Sequence, residues 1–339
     1  MQFTPDLSRG SWVTGRFELS ATVAGTVGSG FEAYARILHP VSVRRFDLNP
    51  SHRNRPGGRD IVERSRWRWS EVARRNGRTM HPLVQWRRLT DDESRTTFDD
   101  GWDLEQLREG FIDPEVLAEL SRHLTDATST PDDLTVGIWE GWGELGTNSV
   151  VYTASGRPDT DAQVAYAAGM DDAVAPEVRA VMDQLHAPPS RLFHREGQRQ
   201  DPPLLELPGR RYLLLTTSTV ELADPTWPLR AGIGWSESGP GVMPQLVWPR
   251  DGTWSVATEI DFDFTLVGGT RQAIDGILRS DSLEAFEVEA DDDVSWDGDL
   301  VNEKREPAPD TGNPISATPS WRRRTCGSRR EGVVHRETP

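Results

Sequence analysis

Glu259, Asp261 and Asp263 fall at every second position within Trp254–Val267, a segment whose even-numbered side chains are nearly all apolar or aromatic. On an extended strand, positions i, i+2 and i+4 share one face about 6–7 Å apart. The spacing therefore predicts three carboxylates in line on a single long strand. Like charges so arranged repel one another, and two kinds of partner would relieve them. A divalent cation, Mg²⁺ or Mn²⁺, is held by one or two carboxylates plus water, and it lowers the pKa of a bound water for hydrolysis. In that arrangement His39 or Arg36, just ahead of Pro40, would approach as proton donor or anion contact. Arginines on a neighbouring strand would neutralise the same face without any chemistry, and nearly all the basic residues are arginine, Lys304 being the single lysine.

The second group is aromatic. Thirteen tryptophans occur, several beside glycine or proline, as in Trp139-Glu140-Gly141-Trp142-Gly143, Trp227-Pro228 and Trp248-Pro249. Indoles on turns either build a recognition surface or cap a core. The candidate binding residues are Trp139, Trp142 and Trp248, with Arg36 and His39. The reading taken forward is a cytoplasmic ligand- or protein-binding module with Trp-rich turns, needing no cofactor and facing a basic protein partner or a small ligand. The alternative is a divalent-metal-dependent hydrolase at Glu259, Asp261 and Asp263.

Other motifs carry less. Gly28-Ser29-Gly30-Phe31-Glu32-Ala33 has the spacing of a dinucleotide loop, but His39-Pro40 would stop the helix it must open, so it reads as a glycine turn. Asp293–Asp299 begins like a calcium loop, yet Lys304 stands where a bidentate glutamate is required. Ser236 and Ser238 miss the nucleophile-elbow pattern by its last glycine. His39 and His81 have no cysteine partner and no metal-ligand spacing.

These residues need a scaffold, and the chain can build one. Hydrophobic residues make up 35% of 339, enough for a core. The net charge is −16, and it is uneven: residues 1–302 carry −19 and 303–339 carry +3. That balance argues against a nucleic-acid partner held by bulk electrostatics and against an anionic membrane surface. Cys326 is the single cysteine, so no disulfide forms within one chain and a reducing compartment is expected. No secretory signal is readable at the amino terminus.

The expected class is α+β: a mainly antiparallel or mixed sheet with a few short helices, in one compact domain over 1–302, followed by a disordered basic tail over 303–339. Strands are expected at Thr22–Val27, Phe31–Leu38, Leu134–Trp139, Arg211–Thr216, Trp254–Val267 and Phe286–Glu289. Ser42–Phe46 is expected to pair beside the strand before Pro40. Helices are expected at Trp69–Asn76, closed by Gly77, at Asp113–Thr125, at 176–185 and at Thr270–Arg279, and 49–66 reads as a polar loop.

Three stretches together carry a resemblance. They are Ser29-Gly30-Phe31-Glu32-Ala33-Tyr34-Ala35-Arg36-Ile37-Leu38-His39-Pro40, then Trp139-Glu140-Gly141-Trp142-Gly143, then Trp248–Asp261 running on to Val267-Gly268-Gly269. On them the chain resembles a group of uncharacterised actinobacterial proteins over roughly residues 20–290. The resemblance implies no particular activity.

Overall fold

Apolar runs between polar turns give the strands, and along most of them both parities are apolar, the pattern of a sheet covered on both faces. The computed structural model describes residues 1–48, 60–142, 202–236 and 239–304, with the backbone of two short strands between 194 and 199. In chain order the strands are β1 (Gln2–Phe3), β2 (Ala33–Leu38), β3 (Val41–Phe46), β4 (Ile61–Trp67), β5 (Trp102–Leu104), β6 (Leu134–Trp139), β7 (His194–Arg195) and β8 (Gln198–Arg199). They continue with β9 (Leu205–Leu207), β10 (Arg210–Thr217), β11 (Leu246–Pro249), β12 (Ser255–Ala257), β13 (Phe264–Gly269) and β14 (Glu284–Val288). The helices are α1 (Val23–Val27), α2 (Trp69–Asn76), α3 (Trp86–Leu89), α4 (Pro114–Thr125), α5 (Thr219–Leu222), α6 (Pro228–Ala231) and α7 (Arg271–Leu278). This is an α+β fold with antiparallel sheets and short helices.

The main sheet runs β1-β10-β6-β11-β12-β13-β2-β14, with β9 also on β10. Every pairing in it is antiparallel. One face packs α4, α6 and α7: Val116, Leu117, Leu120, Trp227, Ile274 and Ile277 lie over Ile37, Val136, Leu213, Val256 and Val267. The other face carries α1, α2, α3 and a small sheet ordered β4-β3-β5, burying Val23, Trp69, Val72, Val41 and Val43 over Tyr34, Leu214, Trp248, Phe264 and Leu266. Among the described residues no helix is long and apolar enough to cross a membrane.

The structure differs from the sequence reading in five places, and each has a local cause. Trp254–Val267 is a hairpin, β12 and β13, with Val256 opposite Val267 and Ala257 opposite Leu266. Both its arms are buried on both faces, so side-chain polarity did not mark where the chain reverses. Thr22–Val27 is the short helix α1, where the Thr22 hydroxyl accepts from the Gly25 amide at 3.1 Å and outweighs the β-branched run. Ser42–Phe46 does not extend the sheet beside β2; β3 pairs with β4 and β5 instead. Ile61–Trp67, of which 61–66 reads as loop, is a strand held by cross-strand ion pairs such as Arg45–Glu63 at 2.7 Å and Arg64–Glu105 at 3.0 Å. Asp113 precedes α4 as expected, but its carboxylate makes no capping bond and pairs with Arg66. The helix expected at 176–185 and the tail from 305 lie outside the described residues.

Candidate functional site

Reversal of the chain between β12 and β13 builds the site. The Thr258 and Thr265 hydroxyls meet at 2.6 Å across its base, and the Phe262 amide donates to the Glu259 carbonyl at 2.9 Å. Gly110 closes against it, donating its amide to the Phe262 carbonyl at 2.8 Å. Only glycine fits there: φ is +69°, and a Cβ would lie 2.8 Å from the Ile260 Cα and 2.9 Å from the Trp142 ring. Gln245, 1% exposed, ties the turn to its neighbours. Its side-chain amide donates to the Gly110 carbonyl at 3.0 Å, and its oxygen accepts from the Trp139 amide at 2.8 Å.

The acids on this turn are not in line. Arg210, at the start of β10, hydrogen-bonds Glu259 at 2.8 Å and Asp261 at 3.1 Å through one nitrogen. The same guanidinium lies 5.9 Å from the Trp139 ring centre. Trp139 and Trp142 meet edge-to-face at 5.7 Å, both half-buried. Arg211 turns the other way and binds Glu140 at 2.5 Å. Arg210 thus stands between two depressions. One, about 300 Å³, is an open groove along Trp139, Glu140, Glu206 and Arg211; the other, about 290 Å³, is lined by Phe17, Tyr212, Glu259, Asp261 and Phe262. Such part-exposed ion pairs stabilise by about 1 kcal/mol or less, so a competing cation can displace Arg210 at small cost.

Asp263 lies apart from the other two acids, half-buried near Arg36. Arg36 projects from β2 and is fully buried, stacked 3.8 Å from the Phe264 ring centre with one nitrogen donating to the Pro82 carbonyl at 2.9 Å. Its Nε and Nη2 have no acceptor among the described residues. Burial lowers its pKa to about 10, opposed by Asp263 and Asp299, so it remains a cation. Burial lifts Asp263 to about 6, with Arg36 pulling the other way. His39 is 3% exposed and bonds the Thr265 hydroxyl at 2.8 Å. Burial, then the charges of Arg66 and Arg36, push it down to about 3, so the ring is neutral near neutral pH.

The candidate residues therefore sort into three places. Trp139, Trp142, Glu259 and Asp261 come together around Arg210. Arg36 and His39 lie inside the fold, with Asp263 half-buried near Arg36. Trp248 belongs to neither: it is fully buried, donates to the Arg9 carbonyl at 3.1 Å and packs edge-on against Trp12. It is a core residue, which corrects its assignment to a recognition surface. The in-line carboxylate site for Mg²⁺ or Mn²⁺ is corrected too, because two of its acids hold an arginine and the third is near another. Among the described residues no group of three or more His, Cys, Asp or Glu side chains is arranged to hold a metal ion. Sequence reasoning missed Arg210, just ahead of the expected strand, and Tyr212 within its apolar run, neither of which carries a motif. The one available signal was the Arg210-Arg211 pair opening that strand. Comparisons of the chain with protein-family models, with curated proteins and with solved structures give no match.

Proposed function

We propose that this chain is a binding module that docks a basic segment of a partner protein on the surface formed by Trp139, Trp142 and the acids around Arg210. The observation that carries the reading is the placement of Arg210, which joins a half-buried indole pair to Glu259 and Asp261. A guanidinium already occupies this acidic and aromatic surface, and a partner's arginine or lysine would make the same contacts. Carboxylates outnumber bases along the two depressions, with Glu18, Glu140, Glu206, Glu259 and Asp261 against Arg210 and Arg211. The net charge of −16 favours encounter with a basic partner. A cytoplasmic location belongs to the same proposal and rests on the single cysteine. The test is a panel of immobilised short peptides, basic, neutral and acidic, probed with the full chain. Retention on the basic set alone, weakened about tenfold or more by Trp139→Ala, is the expected result. Equal retention on all sets, or indifference to Trp139→Ala, would overturn the reading.

A further inference from the structure

The cavity beside the hairpin turn has features that the docking surface does not use. Its volume of about 290 Å³ falls just below the ~300–1,000 Å³ typical of small-molecule pockets. Phe17, Tyr212 and Phe262 give it aromatic walls, while Glu18, Glu259 and Asp261 give it three carboxylates. Arg210 is the only base among the described lining residues, and its contacts are with Glu259 and Asp261. The lining therefore keeps a net formal charge of −2.

An independent feature is Tyr212. It is 4% exposed and lines this cavity, yet its hydroxyl has no hydrogen-bond partner among the described residues. Burial, and then the nearby charge of Glu259, raise the phenol above its ordinary range, so it stays neutral and can hydrogen-bond. The ring is buried while the hydroxyl opens on the cavity, so it is free to bond a ligand in a space bordered by carboxylates and aromatic rings. Carboxylates pair with a cation, and ring faces attract one.

We propose that the cavity is a pocket for an organic cation, a guanidinium or primary ammonium on a short aliphatic chain. The charged head pairs with Glu259 and Asp261 in place of, or beside, Arg210. The chain lies along Phe17 and Phe262, and the Tyr212 hydroxyl takes a polar hydrogen bond. This deepens the binding-module reading, on which it rests for the expectation that the cation is a partner's side chain. A free small cation is the other source of the same chemistry.

Isothermal titration of the full chain with butylguanidinium, butylammonium and neutral 1-butanol tests it. The expected result is saturable one-site binding of a cation, with the alcohol about tenfold weaker or more. Glu259→Gln should weaken cation binding about tenfold, and Tyr212→Phe about threefold or more. Both variants keep the shape of the side chain, and a thermal melt checks that each folds. Nα-acetyl-arginine methylamide, compared with butylguanidinium, separates the sources. Tighter binding of the peptide-like probe points to a partner's side chain, and tighter binding of the alkyl cation points to a free molecule. Absence of saturable cation binding, equal binding of 1-butanol, or indifference to both substitutions overturns the assignment. If the alkyl cations fail while basic peptides still bind through Trp139, the pocket falls and the docking surface stands. If the cations bind and basic peptides do not, the docking surface falls and the pocket stands.

Discussion

Asp263→Asn should change the shape of the stability–pH profile, because the half-buried Asp263 and the buried His39 act on it with opposite sign. Burial, opposed by Arg36, raises Asp263 to about 6, above the ~3.9 of an unfolded aspartate. The folded state then holds the extra proton, so this carboxyl's stabilising contribution is complete below about pH 4 and is lost as pH rises through about 6. His39 is pushed down to about 3 by burial, then by Arg66 and Arg36, below the ~6.5 of an unfolded imidazole. Its contribution is complete above about pH 6.5 and is lost as pH falls toward about 3. From about pH 4 to 6 these two slopes oppose each other, each about 1.4 kcal/mol per pH unit, and their contributions largely cancel in the wild type. Asp263→Asn removes one of them. Relative to wild type, the variant should gain about 3 kcal/mol between about pH 4 and about pH 7, and its own profile should fall steadily on acidification. His39→Gln should do the reverse, gaining stability relative to wild type as pH drops from about 6 to about 4. Urea denaturation of the three proteins across that range reads the differences directly, since every other titrating group is shared. A difference between wild type and Asp263→Asn that stays flat with pH would refute the raised pKa of Asp263.

Trp248→Ala should cost about 3–5 kcal/mol, the loss expected for a fully buried indole, with Trp139→Ala well below it; equal losses in denaturant melts would contradict the assignment of Trp248 to the core. Gly110→Ala should destabilise by more than about 1 kcal/mol and shift the tryptophan fluorescence, because the new Cβ displaces Ile260 or Trp142 from the turn. Arg210→Met should change stability by about 1 kcal/mol or less, yet bind butylguanidinium more tightly by titration, because it frees Glu259 and Asp261. Weaker binding would mean that Arg210 helps to hold the ligand.

Much of the scaffold could be read from the residues. The apolar stripe of α4, the left-handed Gly77 after α2 and the Thr270 cap before α7 are local signals, and local structure follows them. The hairpin was hidden because Thr258–Asp263 reverses the chain without glycine, proline or asparagine, and because β12 and β13 are apolar on both faces. β4 was hidden for the opposite reason: its outward residues are charged, and partners on β3 and in Glu105 stabilise it. At the candidate site, Trp139, Trp142, Glu259 and Asp261 were legible as residue types, whereas their meeting was not. It depends on Arg210, 49 residues before Glu259 in the chain, and on a pairing that sets Tyr212 opposite Trp139. Only the alternative hydrolase reading brought Arg36 or His39 to the acids, and of the three acids only Asp263 comes near Arg36, just ahead of the pairing of Phe264 with Leu38.

The docking of a basic segment is tested most directly by the affinity of the full chain for one arginine-bearing peptide, measured for wild type and Trp139→Ala as salt rises from about 0.05 M to about 0.5 M. Wild-type affinity should fall severalfold or more with salt, because carboxylates on the surface take the arginine. Trp139→Ala should lie about tenfold or more below it at every salt concentration, because the indole contact is not ionic. Affinity indifferent to salt, or the same in both proteins, would contradict a site built from Trp139 and the acids around Arg210.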